Sequence, residues 1–196
     1  MNRIGLSTVV VAALAGLANA QVMTITWGVS DTGDADGVLT PGESAILTMY
    51  AAMNPGAVGF AGSIYNIGGD ADWGAGSIGS YTNLVDSLAT GPGDMNAGNF
   101  ITGIESFQLP PFFNPSFNAS NPIAVYQIVW TPADYSAKIV SFGSFDHINF
   151  DVYTDNFGSS TGYTGEVFPG LMKIIPAPAS AALLGLGGLV GARRRR

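Results

Sequence analysis

Cysteine is absent from the 196 residues, so the chain has no disulfide frame, no thiol nucleophile and no cysteine-based zinc site. Histidine occurs once, as His147, in a stretch whose alternation indicates a surface residue rather than a general base. No catalytic set can be identified, and the sequence favours a protein that is not an enzyme.

Positive charge is also scarce. Between residues 21 and 175, fourteen acidic side chains stand against Lys138 and Lys173, a net charge of −12 with no arginine. Nucleic-acid affinity rests on rows of Lys or Arg that neutralise phosphates, so nucleic acid is excluded as a partner. An acidic surface suits a solvated extracellular protein, or one that gathers divalent cations.

Residues 1–20 have the three parts of a secretory signal peptide: a basic start with Arg3, an apolar run over 4–17, and a small-x-small cleavage site made by Ala18 and Ala20. This pattern predicts a signal helix that passes the Sec translocon and is removed by signal peptidase. The mature chain then begins near Gln21.

Residues 174–192 carry no charge and are long enough to approach the minimum for spanning a bilayer. The four arginines that follow this segment are expected to stay on the cytoplasmic side of the membrane. A short proline motif, Pro176, Ala177 and Pro178, stands before the apolar run. The arginine cluster after the run consists of Arg193, Arg194, Arg195 and Arg196.

This tail resembles the PEP-CTERM sorting signal, in which a Pro-Glu-Pro-like motif, a short membrane helix and an arginine cluster follow one another. Ala177 stands where that family most often has Glu. The resemblance implies recognition by an exosortase-type processing enzyme in a bacterium that makes exopolysaccharide. It predicts a sorting tail with a transmembrane segment over 174–196.

Residues 21–173 then form one exported domain, and alternation of apolar and polar residues predicts its strands. Many short strands between turn-rich loops favour an all-β fold, an antiparallel β-sandwich of jelly-roll or immunoglobulin-like type. A short helix is predicted over 81–88 and another from Thr131. The stretch 109–122, rich in proline and phenylalanine, is predicted either to pack its rings over a sheet edge or to expose them as an aromatic ligand platform. The predicted strands lie at 23–30, 45–51, 60–67, 123–130, 137–142 and 147–153.

The best candidate for a metal site is the acidic stretch 31–43, in which Asp31, Asp34, Asp36 and Glu43 recur near the spacing of a calcium loop. Its flanks are predicted strands rather than helices, and residues 34–43 resemble a turn that opens many bacterial extracellular β-sandwich domains. Two interpretations stay open. One is a polar turn whose Asp side chains bond backbone amides; the other is a calcium site.

Three tryptophans bear on ligand binding, because aromatic rings stack on sugar faces. Trp27 and Trp130 lie in alternating strands and are predicted to be core residues, whereas Trp73 lies in a glycine-rich loop and is predicted to be exposed. The sequence thus favours a structural or binding protein of the cell surface or exopolysaccharide matrix. The alternative is a carbohydrate-active enzyme, a glycoside hydrolase or lyase, that uses a pair of acidic residues. Glu105, Glu166 and several Asp could supply this pair.

Overall fold

The computed structural model describes residues 22–68, 73–85, 88, 91–96, 100–143 and 145–176. Over these residues the chain is all-β, as predicted; the described helical residues are the 3-10 turn η1 (Pro111–Phe113) and Trp73. The strands are β1 (Val22–Asp31), β2 (Val38–Leu39), β3 (Ala45–Ala52), β4 (Gly59–Gly68), β5 (Gly76–Asn83), β6 (Asp94–Asn96), β7 (Phe100–Phe107), β8 (Ile123–Pro132), β9 (Lys138–Phe142), β10 (Phe145–Tyr153), β11 (Ser160–Phe168) and β12 (Gly170–Ile174).

Nine strands form one large curled sheet in the order β5-β8-β3-β1-β11-β10-β4-β7-β6. Its middle strand, β11, changes partner along its length: its first half pairs antiparallel with β10, and its second half pairs parallel with β1. This change of partner lets the two halves of the sheet face each other. Tyr65 in β4 therefore meets Tyr126 in β8, with ring centroids 6.1 Å apart, although four strands separate them in the sheet.

The second sheet has three strands in the order β2-β12-β9. Its β12 strand runs close to β1, because Gly170 has no side chain: a Cβ there would lie 2.3 Å from Val29 Cγ2. From the inner side of this sheet, Phe142 enters a group of indole rings. The ring centroid of Phe142 lies 5.3 Å from that of Trp73 and 5.1 Å from that of Trp130.

The strand interiors follow from the period of two. In β3 every second side chain is buried, and the inward set includes Leu47 and Met49, both fully buried. Trp27 and Trp130 are buried too, which confirms their prediction as core residues. The two helices predicted within the domain, over 81–88 and from Thr131, are wrong. Tyr81 lies in β5 and stacks on Tyr126, and Thr131 continues β8 opposite Ser77.

Candidate functional site

Two loops at the surface bring three phenylalanine rings together. Phe112 lies 5.1 Å from Phe113 and 5.1 Å from Phe157, measured between ring centroids. The three side chains are 65%, 60% and 67% exposed. Exposed apolar side chains scattered singly are ordinary, but rings gathered in one place mark an interaction surface. We call these three residues the phenylalanine cluster.

The backbone of both loops is held by hydrogen bonds. The Phe112 amide donates to the Asn156 carbonyl at 3.0 Å and so joins the two loops. The Asp155 carboxylate accepts the amides of Phe157, Gly158 and Ser159 at 2.8, 2.9 and 3.1 Å. The Ser159 side chain and these amides lower the pKa of Asp155 below its ordinary value. The cluster is thus presented on an ordered backbone.

Buried Gln108 anchors the first loop to the sheet. Its side-chain amide donates to the carbonyls of Phe60 at 2.7 Å and Asn118 at 3.2 Å, and its Oε1 accepts the Asn118 amide at 3.1 Å. Its own carbonyl accepts the Tyr153 hydroxyl at 2.7 Å. Sequence reasoning missed Gln108, because a polar residue at the end of a strand reads as a surface position.

The stretch 109–122 contains both a packed ring and exposed rings. Phe117 packs inward: its centroid lies 6.0 Å from that of Tyr153, and a Cβ at Gly59 would lie 2.4 Å from its Cζ. Phe112 and Phe113 instead point to solvent. Phe157 joins them from a second loop, and no sequence pattern connects the two loops.

The aspartate loop, residues 31–37, brings three carboxylates together. Oxygens of Asp31, Asp34 and Asp36 lie within 4.8 Å of one another. Asp31 is buried, and its Oδ1 accepts the amides of Gly33 at 3.0 Å and Ala35 at 2.8 Å, while its Oδ2 accepts that of Gly37 at 3.0 Å. Burial raises the pKa of Asp31, but these amides outweigh it and leave the pKa below its ordinary value.

These bonds match the interpretation of a polar turn whose Asp side chains cap backbone amides. The Asp34 carboxylate accepts the Asp36 amide at 3.3 Å, and the Asp36 carboxylate accepts the Val38 amide at 2.8 Å. Glu43 is not part of the group of three: its Oε2 accepts the Thr40 amide at 2.7 Å and the Thr40 hydroxyl at 3.0 Å. The prediction of calcium at Asp31, Asp34 and Asp36 stays a prediction.

Trp73 is fully buried, so its predicted exposure is wrong. Its ring meets Trp27 edge to face, with centroids 6.0 Å apart, and Phe142 in the same way. The glycine-rich surroundings indicated a surface loop, but a bulky ring in such a loop can fold inward, since burying a large aromatic side chain stabilises the fold. In this conformation Trp73 cannot stack on a sugar.

The acidic residues named for a glycosidase lie on different strands. Glu105 is in β7 and Glu166 in β11, and β4 and β10 lie between these strands in the sheet. Three strand spacings amount to roughly 14 Å, whereas the carboxyl groups of such a pair are about 5–10 Å apart. The backbone of His147 lies in β10, opposite Tyr65.

Comparison with family models and with curated proteins finds no match. The fold is similar to that of a cohesin. In the crystal structure of the seventh ScaB type I cohesin from Pseudobacteroides cellulosolvens, the alignment covers 79% of this chain and 93% of the cohesin, with a TM-score of 0.54 and 11% sequence identity. That neighbour is a β-sandwich. At this identity the likeness concerns the fold alone.

The predicted processing sites lie at the margins of the described chain. Pro176 is described and exposed, whereas Ala18, Ala20, Ala177, Pro178 and the four arginines 193–196 lie outside the described residues. Within the part that the structure describes, no helix is long and apolar enough to cross a membrane. The signal helix and the membrane helix stay predictions.

Proposed function

We propose that this chain is an exported cell-surface or exopolysaccharide-matrix protein of a structural or binding type, without catalytic activity. Its phenylalanine cluster is the binding surface, and its ligand is a polysaccharide. The observation that carries the proposal is the cluster itself: three exposed rings in mutual contact on two loops joined by a backbone hydrogen bond. The shared sandwich fold allows this role but does not assign it.

The geometry suits a sugar chain for two reasons. Phe112 and Phe157 are tilted by 40° while Phe113 stands edge-on at 84°, so the cluster offers ring faces and edges within a small area. Aromatic faces bury the C–H faces of pyranose rings as apolar surface. Because hydrogen bonds already order both loops, binding has little conformational entropy left to lose.

Charge supports a neutral ligand over an anionic one. The domain carries a net charge of −12 between residues 21 and 175, and Asp155 lies two residues before Phe157 in the sequence. A polyanionic chain would be repelled by this field. We therefore expect a neutral polysaccharide, bound through ring contacts rather than ion pairs.

Delivery belongs to the same proposal. A signal peptide over 1–20 exports the chain, and the tail over 174–196 holds it in the membrane until an exosortase-type enzyme processes it. Mass spectrometry of the cell-associated protein reports both ends at once. We expect a mature start at Gln21, and retention of residues 1–20 would contradict export through a cleaved leader.

Affinity electrophoresis in gels containing the neutral exopolysaccharide of the producing bacterium tests the binding surface. We expect Phe112→Ala and Phe157→Ala each to weaken retardation at least tenfold in apparent Kd, a loss of about 1.4 kcal/mol or more. The matched control is Ile64→Ala, which removes an apolar side chain that is 45% exposed on β4. Equal retardation of the wild type and the phenylalanine variants would refute the proposed surface.

A further inference from the structure

The outward face of the three-stranded sheet is apolar. Alternation along β12 buries Met172 and Ile174 and exposes Leu171 and Lys173. The register places Lys173 between Ile139 of β9 and Val38 of β2. Ile139, Leu171 and Ile175 are 69%, 65% and 36% exposed. We call this surface the small-sheet face; it consists of Val38, Ile139, Ser141, Leu171, Lys173 and Ile175.

No acidic residue belongs to the small-sheet face, although the domain is strongly acidic. The two lysines between residues 21 and 175 both lie on this sheet, paired in register with its residues: Ile174 lies opposite Lys138, and Lys173 lies opposite Ile139. Lys138 forms an ion pair with Asp134, with 2.9 Å between Nζ and Oδ2, whereas Lys173 forms no ion pair within the described part of the chain. The exposed cation of Lys173 therefore stands in the middle of an apolar surface.

The described part of the chain ends beside this face, at Pro176. The Ile175 amide donates to the Leu39 carbonyl at 2.9 Å, which fixes the backbone one residue before Pro176. Residues 177–192 are uncharged and rich in Leu, Ala and Gly, and arginines occupy 193–196. Since an extended residue spans at most about 3.6 Å, the small-sheet face begins within a few ångströms of the apolar segment.

We propose that the small-sheet face rests on the lipid headgroups of the membrane that the tail spans. Ile139, Leu171 and Ile175 enter the interfacial region, and Lys173 contacts lipid phosphates. This inference deepens the proposed function, because it rests on a tail embedded in the bilayer. A surface of exposed aliphatic side chains around a cation has the composition of an interfacial segment, and an anionic leaflet attracts each lysine near it.

Single-cysteine labelling tests the arrangement, because the natural chain has no cysteine. The full chain is reconstituted in vesicles of phosphatidylcholine and phosphatidylglycerol at a ratio of about 7:3, the latter chosen for its anionic charge. An environment-sensitive fluorophore is attached at Leu171→Cys on the small-sheet face, at Leu184→Cys in the tail, or at Thr82→Cys. Thr82 is the control: it is exposed and lies at the end of β5 that is away from Trp130. Trp130 itself packs under the three-stranded sheet. Spin-labelled lipids then quench fluorophores that contact the membrane.

We expect quenching at positions 171 and 184 and none at 82. Lys173→Gln should lower the quenched-to-free ratio at position 171 about fivefold, the contribution of one lysine at an anionic surface. Lys138→Gln should change that ratio less than twofold, since the Lys138 ammonium is already paired with Asp134. Vesicles of phosphatidylcholine alone should reproduce the effect of Lys173→Gln.

Quenching at 184 without quenching at 171 would overturn this inference and leave the membrane tail in place. Absence of quenching at both positions would overturn the embedded tail, and the inference with it. Disulfide formation between copies through Leu171→Cys, with no quenching there, would instead identify a second copy of the chain as the occupant and refute the lipid contact.

Discussion

Replacement of Gln108 by alanine tests whether the phenylalanine cluster depends on a buried anchor. The substitution removes the donor to the buried Phe60 carbonyl, which costs about 1–3 kcal/mol. It also removes two bonds to Asn118, whose exposed backbone can turn to water, at a further cost of about 1 kcal/mol. We expect the free energy of unfolding to fall by about 3 kcal/mol and Tm by about 9 °C for a domain of this size.

Thermal unfolding followed by circular dichroism measures this change, and Gln127→Ala is the matched control. The Gln127 side chain is half-buried and makes one bond, to the Thr48 hydroxyl at 3.2 Å, so its loss should cost no more than about 1 kcal/mol. Gln108→Ala should also weaken polysaccharide retardation at temperatures where the domain is still folded, because Gln108 ties the loop of Phe112 to the sheet. Equal Tm values for the two variants would refute the reasoning about the anchor.

Two predictions concern the aspartate loop. If Asp31, Asp34 and Asp36 bind calcium, unfolding in calcium at about 100 times its Kd should require about 2.7 kcal/mol more than in chelator; Asp34→Asn should abolish that difference, and equal Tm values in wild-type protein would remove the calcium site. The second prediction follows from the lowered pKa of Asp31: because its folded pKa lies below the unfolded one, its stabilisation is complete above the ordinary value of 3.8 and is lost as the pH falls through the folded pKa. Asp31→Asn should therefore lower the free energy of unfolding by about 2 kcal/mol at pH 7, the value of bonds to a charged acceptor, and by much less near pH 2; a gap that stays constant from pH 7 to 2 would contradict it.

Alternation located the half-buried strands well. The predicted strand at 45–51 corresponds to β3 (Ala45–Ala52), and the one at 123–130 to β8 (Ile123–Pro132). In these strands one face is buried, so apolar residues recur at every second position of the sequence. It fails for β11 (Ser160–Phe168), where glycine, serine and threonine dominate and few side chains mark the inner face. Its pairing with both β10 and β1 is a long-range property that no local pattern records.

The candidate site was predictable only in part. The stretch 109–122 was recognised by its prolines and phenylalanines, and an exposed platform was one of its two interpretations. Phe157 could not be assigned to it, because its place depends on the backbone bond between Phe112 and Asn156. Trp73 shows the opposite error: local composition indicated exposure, but packing against Trp27 and Phe142 decided its position.

The tryptophan packing also determines how firmly the small-sheet face is held. The rings of Trp27, Trp73 and Trp130 are buried, and Phe142 meets Trp73 and Trp130 edge to face. Removing one such buried ring costs about 3–5 kcal/mol. Because Phe142 belongs to β9, the same contacts fix the three-stranded sheet to the large one. The outward residues Ile139 and Leu171 are therefore presented on a rigid support, and a membrane contact made through them would orient the whole domain rather than a single strand.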